Sequence, residues 1–114
     1  MLLSEYDTEC LAQAKKLIDA DLSVHYSIAT IAHSTGLGAT KLKTGFKAAY
    51  GYSLFAYLRM QRMKKAAELL SDSRKTIKQI AKATGFRYMN NFIRAFSANY
   101  SVSPAAYRKN LLPK

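Results

Sequence analysis

Acidic residues are scarce along most of this chain. After residue 21 only Glu68 and Asp72 remain, against sixteen lysines and arginines, a net charge of +14. The first 21 residues run the other way, with Glu5, Asp7, Glu9, Asp19 and Asp21 against Lys15 and Lys16, a net of −3. A body this basic asks for a polyanionic partner, and charge alone also suits RNA, a membrane surface or simple solubility. No paired-carboxylate or Ser–His–Asp arrangement is visible, so no catalytic residues are expected. Cysteine is down to Cys10, which excludes a disulfide framework and makes a reducing cytoplasm the expected compartment. His25 and His33 have no cysteine or acidic partners at ligand spacing, so neither a metal site nor a cofactor is expected. No apolar run has the length of a membrane span, and the opening MLLSEYDTEC has acids where a secretory leader needs a basic stretch. Prolines are limited to Pro104 and Pro113, and no Val/Ile/Thr run alternates for long. An all-helical fold follows.

What is present is a repeat. Ile28, Ile31, Ala32, Thr35 and Gly36 recur as Ile77, Ile80, Ala81, Thr84 and Gly85, each 49 residues on. Beyond the glycine the offset becomes 50: Phe46 answers Phe96, Tyr50 answers Tyr100, Ser53 answers Ser103, and Ala56–Tyr57 answers Ala106–Tyr107. Solenoids need three or more repeats, so two imply a pair of like modules in one small domain of 114 residues.

Apolar spacing and end signals predict seven helices. The first spans about 8–20. Ser27 caps a second to about Ser34, and a third runs from about Ala39 to Tyr50. Ser53 caps a long fourth helix to about Leu70, and SDSRKT makes a polar break. A fifth covers 77–84, a sixth about 89–100, and Ser103–Pro104 opens the last, to about Leu111. Each copy thus reads as short helix, glycine turn and second helix. Gly36 and Gly85 stand where the turn requires positive φ, and Ala32 and Ala81 where two helices cross closely. Ile31, Leu37 and Leu42 (Ile80, Phe86 and Phe92 in the second copy) would hold each pair together. That is the pattern of a helix-turn-helix, with an ordinary helical hairpin as the bland alternative.

The second copy reads I-x2-I-A-x3-G-F-x5-F-x-R-x-F-x7-P-x2-Y-R, from Ile77 to Arg108, with Arg94 inside it. The first copy and the following helix add L-x3-F-K-x3-G at Leu42–Gly51 and Y-L-x3-R-M-x2-A-x2-L-L at Tyr57–Leu70. Over about residues 8–110 the chain resembles the DNA-binding domain of AraC/XylS-type bacterial transcription regulators. The resemblance implies a helix-turn-helix subdomain at 8–52, a stiff linker helix at 53–71 and a second subdomain at 72–112. It also implies two reading helices in successive major grooves, about 34 Å apart on one face of the duplex. The chain departs from the family at three points. Gly38 and Tyr88 stand where a small hydroxyl residue usually caps each reading helix, and Ser101 stands where glycine is common. Gly45, inside the first reading helix, should cost it roughly 0.5–1 kcal/mol relative to alanine, so Gly45→Ala is expected to firm it and tighten binding modestly, provided the added methyl has room.

Helical phase turns Leu42, Phe46, Phe92 and Phe96 inward and leaves polar faces outside. The family's base-contacting positions fall on Thr40, Lys43 and Thr44, then on Met89, Asn90, Ile93 and Arg94. The chemistry suits them: Arg94 for guanine O6 and N7, Asn90 for adenine, and Ile93 or Met89 for a thymine methyl. Arg94 as a phosphate clamp or salt bridge, Asn90 as a cap, Met89 as packing and Lys43 as a phosphate contact stay open here. Lys41, Lys47, Arg74, Lys75, Lys78, Lys82 and Arg87 are candidate phosphate contacts, and Arg62 reads as structural. The expected function is sequence-specific binding of double-stranded DNA by a monomeric domain, with dimerisation left to a further domain. The chain is then either part of a longer regulator or a small stand-alone one. Two rivals differ in class: a non-specific architectural protein, and a module whose basic face meets RNA polymerase or another acidic partner.

Overall fold

The computed structural model describes residues 2–111. Among them it forms seven helices: α1 (Glu5–Ala20), α2 (Ile28–Thr35), α3 (Ala39–Tyr50), α4 (Leu54–Leu70), α5 (Ile77–Ala83), α6 (Met89–Tyr100) and α7 (Pro104–Leu111). The all-helical expectation holds, with one boundary to correct. The first helix starts at Glu5, three residues ahead of the expected Thr8. Ser4 and Asp7 form a capping box there, in which each side chain accepts from the other's backbone N–H at 3.0 Å.

The chain divides into two compact units, one through Arg59 and one from Met60, and α4 contributes residues to each. In the first unit Leu11, Ile18, Ile31, Leu42 and Phe46 are fully buried. Phe46 lies 4.7 Å from the ring of Tyr50 and 5.9 Å from that of Tyr57. Tyr57 donates to both Asp19 carboxylate oxygens at 2.7 Å, and burial together with that carboxylate pushes its hydroxyl pKa up. Lys15 sits over the Tyr50 and Tyr57 rings at 4.6 and 5.0 Å from their centroids. The second unit repeats the aromatic arrangement. Phe96, fully buried with Phe92 and Ile80, lies 4.6 Å from Tyr100 and 5.4 Å from Tyr107.

The repeated turn residues have matched jobs. Thr35 and Thr84 each donate to the carbonyl four residues back, Ile31 and Ile80, at 2.8 Å. That bond lets Thr84 be completely buried without an unsatisfied hydroxyl. Gly36 and Gly85 have φ of +80° and +86°, as the turn demands. Arg62 lies across Gly85, where a Cβ would come within 2.5 Å of its guanidinium, so the structural reading of Arg62 is consistent with its place. Arg108 does a second structural job. Its guanidinium donates to the carbonyls of Leu70 and Asp72 at 3.0 and 3.1 Å, satisfying groups at and just beyond the end of α4.

At Gly45 the room for a methyl is tight. It is buried against α1, where an added methyl would lie 3.3 Å from Leu3 Cδ2 and 3.5 Å from Leu11 Cδ1. Its lack of a side chain serves packing, so the helix gained by Gly45→Ala comes only with a shift of Leu3.

Two substitutions in the second unit should act in opposite directions. Ser101 ends α6 with φ +65° in the left-handed region, a conformation that costs a non-glycine residue roughly 1 kcal/mol. Ser101→Gly should therefore stabilise by up to about 1 kcal/mol, and Gly85→Ala should destabilise by at least ~1–2 kcal/mol. Urea unfolding of both variants checks the pair, and equal shifts of one sign would contradict it.

Candidate nucleic-acid interface

Burial separates the inward from the outward face of α3 and α6. Leu42, Gly45 and Phe46 are buried on α3, leaving Thr40, Lys43, Thr44 and Lys47 exposed. On α6, Phe92 and Phe96 are buried, Asn90 and Arg94 are exposed, Met89 is 43% exposed and Ile93 half-buried. The seven residues named for base contacts are thus gathered on two helix faces, one in each unit. Thr44 donates its hydroxyl to the Thr40 carbonyl at 2.9 Å, a bond within its own helix.

The helix starts differ in a systematic way. Ser4, Ser27, Ser53, Thr76 and Ser103 cap α1, α2, α4, α5 and α7, each accepting from a backbone N–H at 3.0–3.1 Å. Gly38 and Tyr88, which precede α3 and α6, make no such bond. The first amides of these two helices therefore have no side-chain cap, and exposed helix-start amides are suited to bind phosphate oxygens.

The cations fall into two groups. Lys41 pairs with the buried Asp7 at 3.1 Å, and Arg74 pairs with Asp72 at 3.0 Å. Among the described residues Lys43, Lys47, Lys75, Lys78, Lys82, Arg87 and Arg94 are exposed and form no ion pair. The Asp7–Lys41 pair joins α1 to the first turn of α3, a link between residues too distant in sequence for any local pattern to reveal.

Each unit also carries a recess beside its outward helix. In the first unit a recess of about 410 Å³ is lined by Ile28, Lys43, Thr44, Lys47, Ala48 and Ser53–Phe55. In the second a recess of about 180 Å³ is lined by Ile77, Met89, Ile93 and Ser103–Ala105. Ile28, Lys43, Ser53, Leu54 and Phe55 stand at the repeat positions of Ile77, Ile93, Ser103, Pro104 and Ala105. The recesses are the same feature with different walls, and the sequence reading missed both.

Two helix-turn-helix units on one basic chain define a narrow set of relatives. A family profile described as "Helix-turn-helix domain" matches residues 31–110. The chain belongs to the AraC/XylS-type helix-turn-helix family. It is 32% identical over 106 residues to the HTH-type transcriptional activator RhaR of Pectobacterium carotovorum, covering 93% of this chain and 37% of that protein. It spans about a third of the length of the first curated relatives it matches. Among solved structures it resembles the C-terminal domain of AraT, a response regulator from Geobacillus stearothermophilus, at 27% identity and a TM-score of 0.86, over 100% of this chain and 92% of that one. It also resembles the DNA-binding domain of AdpA, a global transcriptional factor solved with a target DNA, at 25% identity and a TM-score of 0.77, over 94% and 93% of the two chains. The AraC-type match makes the chain a DNA-binding domain of the transcription-regulator class, a family of regulators and not of enzymes. No helix among the described residues is long and apolar enough to cross a membrane.

The Asp7–Lys41 link has a pH signature. Backbone hydrogen bonding at Ser4, and then Lys41, hold the Asp7 carboxyl below its usual range. A lowered folded-state pKa gives stability that is complete above the unfolded value, about 3.9, and is lost as pH falls through the folded one. Asp7→Asn should therefore lower Tm at pH 6, and the gap to the parent should close below about pH 4. A gap independent of pH in calorimetry would assign the loss to packing alone.

Proposed function

We propose that this chain reads specific sequences in double-stranded DNA for a bacterial transcription regulator, with α3 and α6 entering successive major grooves about 34 Å apart. One observation carries the reading. The only two helices of the seven described that start without a side-chain cap are also the two that present outward polar faces in the helix-turn-helix position. The functional division follows the repeat, with reading subdomains at 8–52 and 72–112 and a linker at 53–71. The DNA-bound AdpA domain supports it as a relative solved on its target.

The roles follow from side-chain chemistry. Arg94 donates twice to guanine, Asn90 pairs with adenine, and Met89 and Ile93 meet thymine methyls. Lys43 reaches guanine or phosphate, while Thr40 and Thr44 are less selective. Lys47, Lys75, Lys78, Lys82 and Arg87 contact phosphates, and Lys41 and Arg74 do so with the donors their carboxylate partners leave unused. The two units lie on one chain and need no two-fold partner, so the domain binds as a monomer to an asymmetric site of about two turns. Its place of action is the bacterial cytoplasm, RNA polymerase is a further candidate partner, and no catalytic step belongs to this reading. A non-specific architectural protein would share the charge but lose its preferred site to bulk DNA in competition.

Readers and holders should separate under titration. Arg94→Ala should cost about 1–3 kcal/mol on the preferred site and relax preference at one base position. Lys78→Ala should weaken specific and scrambled DNA alike and lower the salt slope by roughly one unit. Measuring both variants on both DNAs at several salt concentrations tests the assignment, and equal weakening of both DNAs by Arg94→Ala would make Arg94 a phosphate clamp.

A further inference from the structure

The recess of the second unit is walled by Ile77, Met89, Ile93, Pro104 and Ala105, with the Ser103 hydroxyl as the one side-chain polar group. That hydroxyl already accepts from the Ala106 N–H at 3.1 Å. Pro104 has no N–H to offer, so the wall that α7 contributes has a missing donor where other helix starts present one. Ile93 and Ile77 are half-buried and packed against the unit's core, which fixes the recess in shape before anything enters it. Its rim residues Met89 and Ile93 flank Asn90 and Arg94 on the same helix, so the recess is continuous with the outward face of α6.

We infer that this recess is a seat for the 5-methyl group of thymine, and that Ile77 and Pro104, outside the reading helix, are specificity-determining residues. The inference rests on the DNA-reading function proposed above and deepens it. Among the groups that base pairs present in the major groove, the thymine methyl alone is apolar. An apolar wall rewards it, whereas a guanine or adenine acceptor turned there would lose its water without a replacement bond. Cytosine places only a hydrogen where the methyl would be. The first unit makes the contrast. At the repeat position of Ile93 it has Lys43, and with Lys47 also on the wall its recess is cationic at the rim. Two lysines, Lys43 and Lys47, thus mark the first recess, where the second has none.

The test needs no knowledge of the natural operator. Sites bound by the intact chain are selected from a random duplex pool, and each thymine of the enriched site is replaced singly by deoxyuridine, which removes only the methyl. At one or two thymines under the second unit, binding should weaken about fourfold, the equivalent of one lost buried methylene. Ile93→Ala should erase that difference, and Ile93→Val should retain part of it. Placing 5-methylcytosine where cytosine replaces the sensitive thymine should recover part of the loss. If deoxyuridine is neutral at every position while binding stays sequence-specific, the methyl seat is wrong and the DNA-reading function stands. A sensitivity that Ile93→Ala leaves unchanged also overturns it. Failure to enrich any site would instead defeat the sequence-specific reading on which the inference rests.

Discussion

The burial of one phenylalanine in each outward helix sets the direction of everything else on the surface. Phe46 and Phe96 occupy the same repeat position, have no exposed surface, and each meet two tyrosines that also correspond. Losing such a ring from a core costs about 3–5 kcal/mol, against about 0–1 for an exposed pair such as Lys65–Glu68 at 4.0 Å. Rotating either helix to hide its polar face would expose the ring, so packing and not charge decides which side chains point outward. Arg94 and Asn90 on α6, and Lys43 and Thr40 on α3, are outward because the phenylalanines are inward.

The uncapped starts of α3 and α6 are legible against that background. A hydroxyl N-cap typically contributes about 1 kcal/mol, and five of the seven described helices have one. Withholding it at two matched places lowers local stability where backbone donors are useful to an anionic partner. The supporting frame carries compensating bonds elsewhere: Thr35 and Thr84 at the turns, Arg108 at the end of α4, and the Ser4–Asp7 box that leads to Lys41.

What could be seen in the sequence was periodic or local. Helical spacing placed Leu42, Phe46, Phe92 and Phe96 inside, and the glycines at 36 and 85 marked turns whose φ is positive. The seven helices followed from the same signals, apart from the start of α1. There Ser4-x-x-Asp7 has aspartate in place of the usual glutamate or glutamine, so the box lies outside the common signature. Long-range pairs left no trace to read. Asp7 meets Lys41, Tyr57 meets Asp19, and Arg62 crosses Gly85 because the helices pack, and no spacing rule connects those positions. The tight room at Gly45 was hidden for the same reason, since its neighbours Leu3 and Leu11 come from the segment before α1 and from α1 itself. The recesses are invisible to periodicity because each is walled by three separate segments.

The chain's single thiol supplies a clock for one half of the molecule. Cys10 lies on α1 with 6% of its surface exposed, inside the core of the first unit. A bulky disulfide reagent reaches it only when that core opens, so its rate of modification counts openings of the first unit, while the second, having no cysteine, stays silent. Followed with and without a DNA duplex, that rate reports how far occupancy of α3 stiffens the helices behind it.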